Sequence, residues 1–241
     1  MAQYVCRYRK GGELRWVGHL DLKRTLERAL RRAALPLELT QGHNPHPKLS
    51  YGPPMPMGVT GEAEVFSLHL REALPADNVK ERLNVQLPAG FEVMDAWIVP
   101  GYKRRETFGE LDVAEYRVTM PTAVSVAEVQ ERLQALLARD QLVVTRRGEH
   151  EEREIDVRPM LLSARAEEAG EGRVALHLRL RTGSHGGAKP GEIVALLGAC
   201  DPEAARIHRA GLYAGAEAPP PEAPRPQTAL RRTWGRPRRG H

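Results

Sequence analysis

The order in which hydrophobic periodicities follow one another constrains the fold of this chain more than any other feature of its sequence. Apolar residues alternate with period two where strands are expected and recur with a period near 3.6 where helices are expected. In the first half, the period-two segments lie at residues 4–9, 37–40, 64–71 and 91–99, and the first helical segment lies at residues 20–34. A second helix, capped by Asp77, is expected before the last of these strands.

The second half repeats this order. A strand around Tyr116 precedes a helix that Ser125 caps, and Glu128 completes a capping box. Two extended segments follow at residues 142–145 and 155–164, and a strand follows at 174–180. A helix then begins at Pro190, and a final strand is expected at 208–213. Both halves therefore have the order βαββαβ. This predicts an α+β protein of two tandem ferredoxin-like units with antiparallel sheets.

Changes in composition divide the chain into four parts. The first ferredoxin-like domain is expected at residues 1–102, and a polar linker containing Lys103, Arg104 and Arg105 follows at residues 103–114. The second domain is expected at residues 115–215. Residues 216–241 are rich in proline and arginine, and they are expected to form a disordered basic tail.

The charge and the cysteine content narrow the possible partners. The formal net charge of the 241 residues is +5, which favours an anionic partner such as RNA without requiring one. No stretch approaches the roughly 20 apolar residues of a membrane helix, and no signal-peptide core is present, so we expect a cytoplasmic protein without a membrane partner. Cys6 and Cys200 are two isolated thiols. They cannot form a cysteine-rich zinc or iron–sulfur site alone, so no cofactor is expected.

Five basic residues lie on the side of the first helix opposite its apolar stripe. They are Lys23, Arg24, Arg28, Arg31 and Arg32. At about 100° per residue they form a single basic face. Two interpretations are open, because such a face is either a solvated surface or a surface that contacts phosphates.

The segment at residues 41–58 contains five prolines and three glycines, which exclude a regular helix. A long ordered loop is more often functional than an ordinary connector. Within it, Lys48 offers a charge to a phosphate, Ser50 offers a hydrogen bond, and Tyr51 offers a stacking surface for an unpaired base. The alternative is that these three residues only attach the loop to the sheet.

Three histidines, His19, His43 and His46, are close in sequence and could titrate near neutral pH. They are candidates for RNA contact, for acid–base catalysis of RNA cleavage and, together with Asp21, for metal binding. The structural alternative is that His19 packs at the helix start and that the other two bond to the loop backbone. No convincing acidic pair, serine nucleophile elbow or dinucleotide motif supports catalysis. A non-catalytic role is therefore preferred, and no metal site is expected.

A second basic surface is expected on the strand at residues 174–180, where apolar and basic residues alternate. Its basic residues are Arg173, His177, Arg179 and Arg181. The glycine-rich segment that follows, at residues 183–190, could bind an anion through its backbone N–H groups and Lys189. It does not match a Walker A motif, and a flexible connector is the favoured interpretation.

Three sequence motifs resemble the radical SAM-linked protein family, a bacterial domain of unknown function that is fused to radical SAM proteins or stands alone. They are Gly-His-Leu-Asp-Leu at residues 18–22, Arg-Ala-Leu-Arg-Arg at 28–32 and Gln-Gly-His-Asn-Pro-His-Pro-Lys-Leu-Ser at 41–50. The resemblance covers about residues 1–215, and His43 departs from it where the family more often has an aromatic residue. It implies a working connection to a radical SAM enzyme. The three clustered cysteines of such an enzyme are absent here.

These observations lead to three hypotheses about function. The preferred one is a non-catalytic RNA-binding protein that presents tRNA or rRNA to a radical SAM enzyme for modification or processing. The second is a metal-independent endoribonuclease that uses His19 or His46, because paired ferredoxin-like units are similar to the repeat-processing endoribonucleases of CRISPR systems. That similarity is a fold-level analogy only. The third is a protein–protein adaptor that binds no RNA.

Overall fold

The structure of the protein is a computed structural model that describes residues 1–99, 108–148, 151–170, 172–183 and 186–215. The chain divides into two compact units, Met1–Glu110 and Leu111–Ala216. Within the described residues it has four α-helices and mostly antiparallel strands, which confirms the predicted α+β class. No helix in these ranges is long and apolar enough to cross a membrane.

The first unit is built from four strands and two α-helices in its described part. In chain order they are β1 (Ala2–Lys10), α1 (His19–Arg32), β2 (Leu49–Tyr51), β3 (Val59–Leu70), α2 (Ala76–Asn84) and β4 (Phe91–Val99). The strands are ordered β4-β1-β3-β2, and each neighbouring pair is antiparallel. β2 is therefore parallel to β1 with β3 between them, which is a split β–α–β arrangement.

The core of this unit forms between α1 and one face of the sheet. The apolar stripe of α1 is buried, as its spacing predicted, at Leu22, Leu26, Ala29 and Leu30. It belongs to one cluster with buried strand residues, namely Tyr4, Cys6, Tyr8, Phe66, Leu68 and Leu70. The alternation in β1 and β3 therefore indicated correctly which side chains point inward. Burial raises the pKa of the Cys6 thiol, so this cysteine stays a protonated core residue.

The second unit contains the same elements with one insertion. In chain order they are β5 (Leu111–Pro121), α3 (Val126–Leu137), β6 (Val143–Arg147), β7 (Glu152–Asp156), β8 (Leu161–Glu168), β9 (Arg173–Arg181), α4 (Pro190–Leu197) and β10 (Arg206–Ala214). The order β10-β5-β9-β8 matches the order of the first unit, and β6 and β7 pair separately as a hairpin. Ser125 caps α3 as predicted, because its hydroxyl accepts a hydrogen bond from the backbone N–H of Glu128 at 3.2 Å.

Two strand predictions were wrong in detail. Residues 37–40 do not form a strand, since they make only the isolated bridges Leu37–Leu70 and Leu39–Pro47. The second strand of the unit is β2, inside the proline-rich segment. In the second unit, the segment predicted at 155–164 is divided between β7 and β8 by a short 3₁₀ turn at Arg158–Met160. Pro159 lies within that turn. Proline has no backbone N–H group to donate to a neighbouring strand, so the strand is interrupted here.

Two boundary predictions also need correction. Asp77 does not cap α2, because the helix already begins at Ala76 and Pro75 takes the cap position. Asp77 instead lies in the first turn, where its charge still favours the helix dipole. The predicted linker is shorter at its C-terminal end, because β5 includes Leu111–Ala114. Residues 100–107 of that linker and the predicted tail at 216–241 lie outside the described residues.

Candidate nucleic-acid interface

Helix α1 carries the basic face that its spacing predicted, but the structure divides that face into paired and unpaired charges. Arg24 bonds to Asp21 at 3.1 Å. Arg32 donates to the backbone oxygen of Gln86 at 2.7 Å. Arg28 and Arg31 are exposed. Within the described residues neither has an ion-pair or side-chain hydrogen-bond partner. Their charges are therefore the ones most available to an anion.

Two acidic residues lie on the same side of α1 and reduce its net charge. Asp21 and Glu27 fall among the basic residues at helical spacing. Glu27 also faces the proline-rich segment, because its carboxylate is 3.6 Å from Nδ1 of His46. The face is therefore a mixed surface with a positive excess, and the excess is concentrated toward the C-terminal half of the helix at Arg28 and Arg31.

The side chain of Tyr51 connects β2 to the N-terminal half of α1. The Nζ atom of Lys23 lies 4.8 Å from the centre of the Tyr51 ring, a cation–π contact. The ring of His19 meets the same ring edge-on at 6.0 Å. The structure thus brings together three residues that the sequence had proposed separately, from the helix and from the loop.

The hydroxyl group of Tyr51 is shielded from solvent. Burial raises its pKa, and the negative charge of Glu27 raises the pKa further, so the phenol keeps its proton at neutral pH. Its oxygen is buried and has no hydrogen-bond partner within the described residues. A buried hydroxyl in this condition is a donor that a ligand oxygen could satisfy.

Lys48 and Ser50 point away from the Tyr51 cluster, because alternate residues of a strand face opposite sides. The ammonium group of Lys48 bonds to the carboxylate of Glu38, which is only 8% exposed. His69 lies close to both charges. Burial lowers the pKa of His69, and Lys48 lowers it further while Glu38 opposes the change. Lys48 therefore neutralises a buried carboxylate and fastens the loop.

Ser50 stands opposite Ser67 in the register between β2 and β3. His43 and His46 are exposed on the loop that leads to β2, and the backbone N–H of His46 donates to the Thr40 hydroxyl at 3.0 Å. This hydrogen bond agrees with the structural interpretation of His46 as a loop residue. The imidazole of His46 lies beside α1, because it contacts Glu27.

Trp16 was not among the residues that the sequence pattern predicted, yet it is the most exposed aromatic side chain near α1. Its side chain is 54% exposed. The guanidinium carbon of Arg15 lies 5.1 Å from the ring centre. Gly58 approaches the other part of the ring so closely that an added Cβ would lie 3.3 Å from Cζ3. The signal in the sequence was an Arg-Trp pair between the glycines at positions 12 and 18.

The predicted basic strand of the second unit is β9, and its charges lie on the sheet face away from its buried apolar residues. Most of the arginines around it have acidic neighbours. Arg181 bonds to Asp112 at 3.0 Å, and Arg165 on β8 bonds to Glu167 at 3.0 Å. His177, whose Nε2 lies 2.7 Å from the Glu167 carboxylate, lowers the pKa of Glu167, and Arg165 lowers it further. Arg179 lies on the same face, between Glu115 and Ser163 in the strand register.

Lys189 precedes α4 and is exposed, but the start of that helix already holds an anion. The carboxylate of Glu192 accepts from the backbone N–H of Lys189 at 2.8 Å. The same carboxylate accepts from Nε of Arg146 at 2.7 Å, and this hydrogen bond raises the pKa of Arg146. Ser184 and His185 of the glycine-rich segment lie outside the described residues. Glu192 therefore occupies the position that a bound phosphate would take.

The described residues contain no group of three or more histidine, cysteine, aspartate or glutamate side chains that could hold a metal ion. Asp21 in particular is engaged with Arg24. The chemistry of the α1 region is thus that of a cationic helix, an aromatic ring under a lysine and an exposed tryptophan. Such groups bind phosphates and stack on bases.

Residues 3–190 match the profile of a family described as "Uncharacterized protein conserved in bacteria (DUF2344)". The chain belongs to this family. The matched range contains the described first unit from Gln3 onward and every site residue predicted from the sequence. No curated protein matches the chain.

Two solved structures are similar to the chain in part. One is described as a crystal structure of a Cbf5-Nop10-Gar1 complex, with 12% identity and a TM-score of 0.44, over 86% of this chain and 47% of that chain. The other is an archaeal box H/ACA sRNP Nop10-Cbf5 complex, with 11% identity and a TM-score of 0.41, over 86% and 46%. The chain spans less than half of the length of either. At these scores the likeness carries no argument about fold or function.

Proposed function

We propose that this protein is a non-catalytic RNA-binding accessory that presents tRNA or rRNA to a radical SAM enzyme. The observation that carries the proposal is the pair Arg28 and Arg31, which are exposed on α1 and have no acidic partner within the described residues. Uncompensated arginines on a helix are suited to phosphate oxygens, because the guanidinium group binds them at two points.

The groups beside this pair favour nucleic acid over a simple anion. Lys23 and Tyr51 place a cation and an aromatic ring together near the N-terminal half of the same helix. Single-stranded nucleic acid is bound by positive charges along the backbone and aromatic rings under the bases. RNA with unpaired loops or ends offers both groups, whereas a regular duplex hides its bases.

Two further parts of the proposal rest on less direct support. The strand order β4-β1-β3-β2 and its repetition in β10-β5-β9-β8 support the assignment of both units as ferredoxin-like. The radical SAM connection rests on the motifs at residues 18–22, 28–32 and 41–50. It is tested by reciprocal purification with a tagged chain, in which a captured partner must contain an iron–sulfur cluster and cleave S-adenosylmethionine.

The first experiment is ultraviolet crosslinking in the native cell, followed by stringent purification and sequencing of the attached RNA. We expect a discrete tRNA or rRNA footprint that is lost in the double variant Arg28→Glu, Arg31→Glu. The matched control is Arg71→Glu, Arg139→Glu, which changes the net charge equally at two other exposed arginines. An equal loss in both variants would mean that only general charge matters. No RNA above an untagged control would favour a protein adaptor instead.

A second candidate function, a metal-independent endoribonuclease, is supported by one observation. His19 and Lys23 both contact the ring of Tyr51, so a titratable imidazole and a cation lie within one small cluster. In RNA cleavage these groups could act as an acid or base and as a stabiliser of phosphate charge. The test is prolonged incubation of pure protein with the crosslinked RNA in the presence of a chelator. Intact RNA would eliminate this function, and cleavage abolished by His19→Ala or His46→Ala would establish it.

A further inference from the structure

Trp16 combines features that the proposed phosphate contacts do not use. It is a large aromatic ring that is 54% exposed. Two further apolar side chains are also exposed. They are Leu20, four residues after Trp16, at 67%, and Met57, which precedes the Gly58 that lies against the ring, at 65%. Leaving this much apolar surface in water is unfavourable, so such a patch commonly marks a binding site.

The ring of Trp16 is held in place from two sides. The guanidinium group of Arg15 lies over the ring at 5.1 Å, and Gly58 packs against its edge. The backbone N–H of Gly58 also donates to the oxygen of Arg15 at 2.8 Å, which ties the two segments together. Gly58 has a positive φ of 81°, a conformation that residues with a side chain rarely adopt. A ring held in this way loses little conformational entropy when a ligand stacks on it.

Arg15 supplies an additional indication of a ligand. Its Nε atom is shielded from solvent and has no hydrogen-bond partner within the described residues. A charged donor left in this condition is unfavourable, and a phosphate or base oxygen beside the ring would satisfy it. The charge next to the ring also argues against a purely apolar partner, because that partner would have to bury the guanidinium group.

We propose that Trp16 and Arg15 form a stacking site for one unpaired nucleobase, with Arg15 contacting the adjoining phosphate or base edge. The proposal rests on the proposed RNA-binding function and deepens it, because it assigns the base-contacting residue. α1 begins three residues after Trp16, so its cationic residues continue the path of the nucleic-acid backbone. The occupant is an unpaired base rather than a duplex, because stacking requires a free π-face.

The test measures the affinity of the full-length chain for a fluorescein-labelled 16-nucleotide single-stranded RNA of mixed sequence. Four proteins are compared: the unchanged chain, Trp16→Ala, Trp16→Leu and Trp16→Phe. Loss of one base stack weakens binding by roughly 5-fold to 150-fold. We expect that loss for the alanine and leucine variants, while phenylalanine stays within about 3-fold because it retains an aromatic ring.

Two further readouts separate stacking from charge. The salt dependence of binding should keep its slope in Trp16→Ala, because the phosphate contacts remain, whereas Arg28→Glu, Arg31→Glu should reduce it. Binding of a duplex RNA of the same sequence should not change in Trp16→Ala. Because Trp16 is exposed, the variants should unfold at the same temperature as the unchanged chain, which is verified first.

Each outcome decides between the proposals. If Trp16→Ala binds single-stranded RNA as the unchanged chain does while Arg28→Glu, Arg31→Glu does not bind, the stacking site is overturned and the RNA function stands. If Trp16→Leu binds normally, the ring is only an apolar contact and the inference also fails. If the unchanged chain does not bind RNA of either form, the proposed function falls and the stacking site falls with it.

Discussion

The two units have the same order of strands and helices but place their charges on different surfaces. In the first unit, part of the sheet face opposite α1 is buried, since Gln3, Val5 and Ser67 are each no more than 2% exposed, and Arg9 on the same face is paired with Glu92. On α1, Arg28 and Arg31 are exposed and have no acidic partner within the described residues. In the second unit, the corresponding sheet face carries exposed arginines. Arg117 and Arg165 have side chains that are 54% and 61% exposed.

The units also differ in how their charges are compensated. Glu167 alone contacts Arg117, Arg165 and His177, at 3.6, 3.0 and 2.7 Å. The arginines of the second unit are thus more numerous on the sheet but more often paired. The comparison teaches that the count of basic residues is a poor guide to a phosphate-binding surface. The absence of an ion-pair partner is the better guide, because a paired arginine must first give up its partner.

The largest expected effect tests this difference directly. We expect Arg28→Glu, Arg31→Glu to weaken binding of single-stranded RNA on the order of 100-fold at 0.15 M salt, and to reduce the salt slope by about 1.4. The matched pair in the second unit, Arg165→Glu and Arg181→Glu, should change affinity by no more than about 3-fold, because both arginines already have acidic partners. Fluorescence anisotropy over a salt series measures both. The reverse ranking would transfer the interface to the second unit.

The cores of the two units should respond alike, in contrast to their surfaces. Leu26 on α1 and Leu133 on α3 occupy corresponding buried positions and are 1% and 0% exposed. Replacing either with alanine should lower the free energy of unfolding by about 2–5 kcal/mol, because a cavity replaces packed methyl groups. Urea unfolding followed by circular dichroism measures the change. A loss below about 1 kcal/mol in one unit alone would show that its core is packed less tightly.

The helix starts differ in a way that predicts a smaller effect. Ser125 caps α3 through its hydroxyl, whereas α1 begins after Gly18, which has no side chain for this purpose. Ser125→Ala should lower the free energy of unfolding by about 1 kcal/mol, and Gly18→Ser should raise it by a few tenths. Nothing lies within 4 Å of a Cβ added at Gly18, so the serine fits. Thermal unfolding of the two variants tests both predictions. A Ser125→Ala variant with the unfolding temperature of the unchanged chain would contradict the cap.

The smallest expected effect concerns pH, and it too differs between the units. The pKa of His69 is lowered from its ordinary value of 6.5 in the folded chain. The unfolded chain then binds more protons as the pH falls below about 6.5, so stability should decrease there. His69→Gln should flatten this part of the profile. In the second unit, the pKa of Glu167 is lowered from 4.5, so its contribution should disappear only as the pH falls below about that value.

Unfolding measured by urea between pH 4 and pH 8 distinguishes these two contributions. His69→Gln should change the slope of stability against pH below about 6.5. Glu167→Gln should lower stability at neutral pH and change that slope only below about 4.5. If His69→Gln left the slope between pH 5 and pH 7 unchanged, another group would be responsible for it.

The elements with regular periodicity were predictable because their side chains face one core. β4 was placed at residues 91–99, which are its bounds in the structure. The stripe on α1 and the cap of α3 were also predicted. β2 was not, because its three residues lie among prolines and glycines and pair with β3 rather than with a sequence neighbour. A strand this short has too few residues for a period to be recognised.

The candidate site was predictable as a set of residues but not as an arrangement. Lys23 and Tyr51 were both proposed, yet only the packing of α1 over β2 brings them to 4.8 Å. Lys48 was proposed as a phosphate contact, and the structure pairs it with Glu38, a residue ten positions earlier. Trp16 was missed because a single aromatic residue in a turn has no periodicity.

By itself, the sequence determined the alternation of strands and helices, the inward faces of those elements and the positive side of α1. These are local properties, since each depends on residues within one or two turns of one another. The tertiary structure alone decided which charges keep an acidic partner and which rings remain exposed. Both depend on residues that are distant in sequence, and electrostatic compensation and burial are set by distance in space.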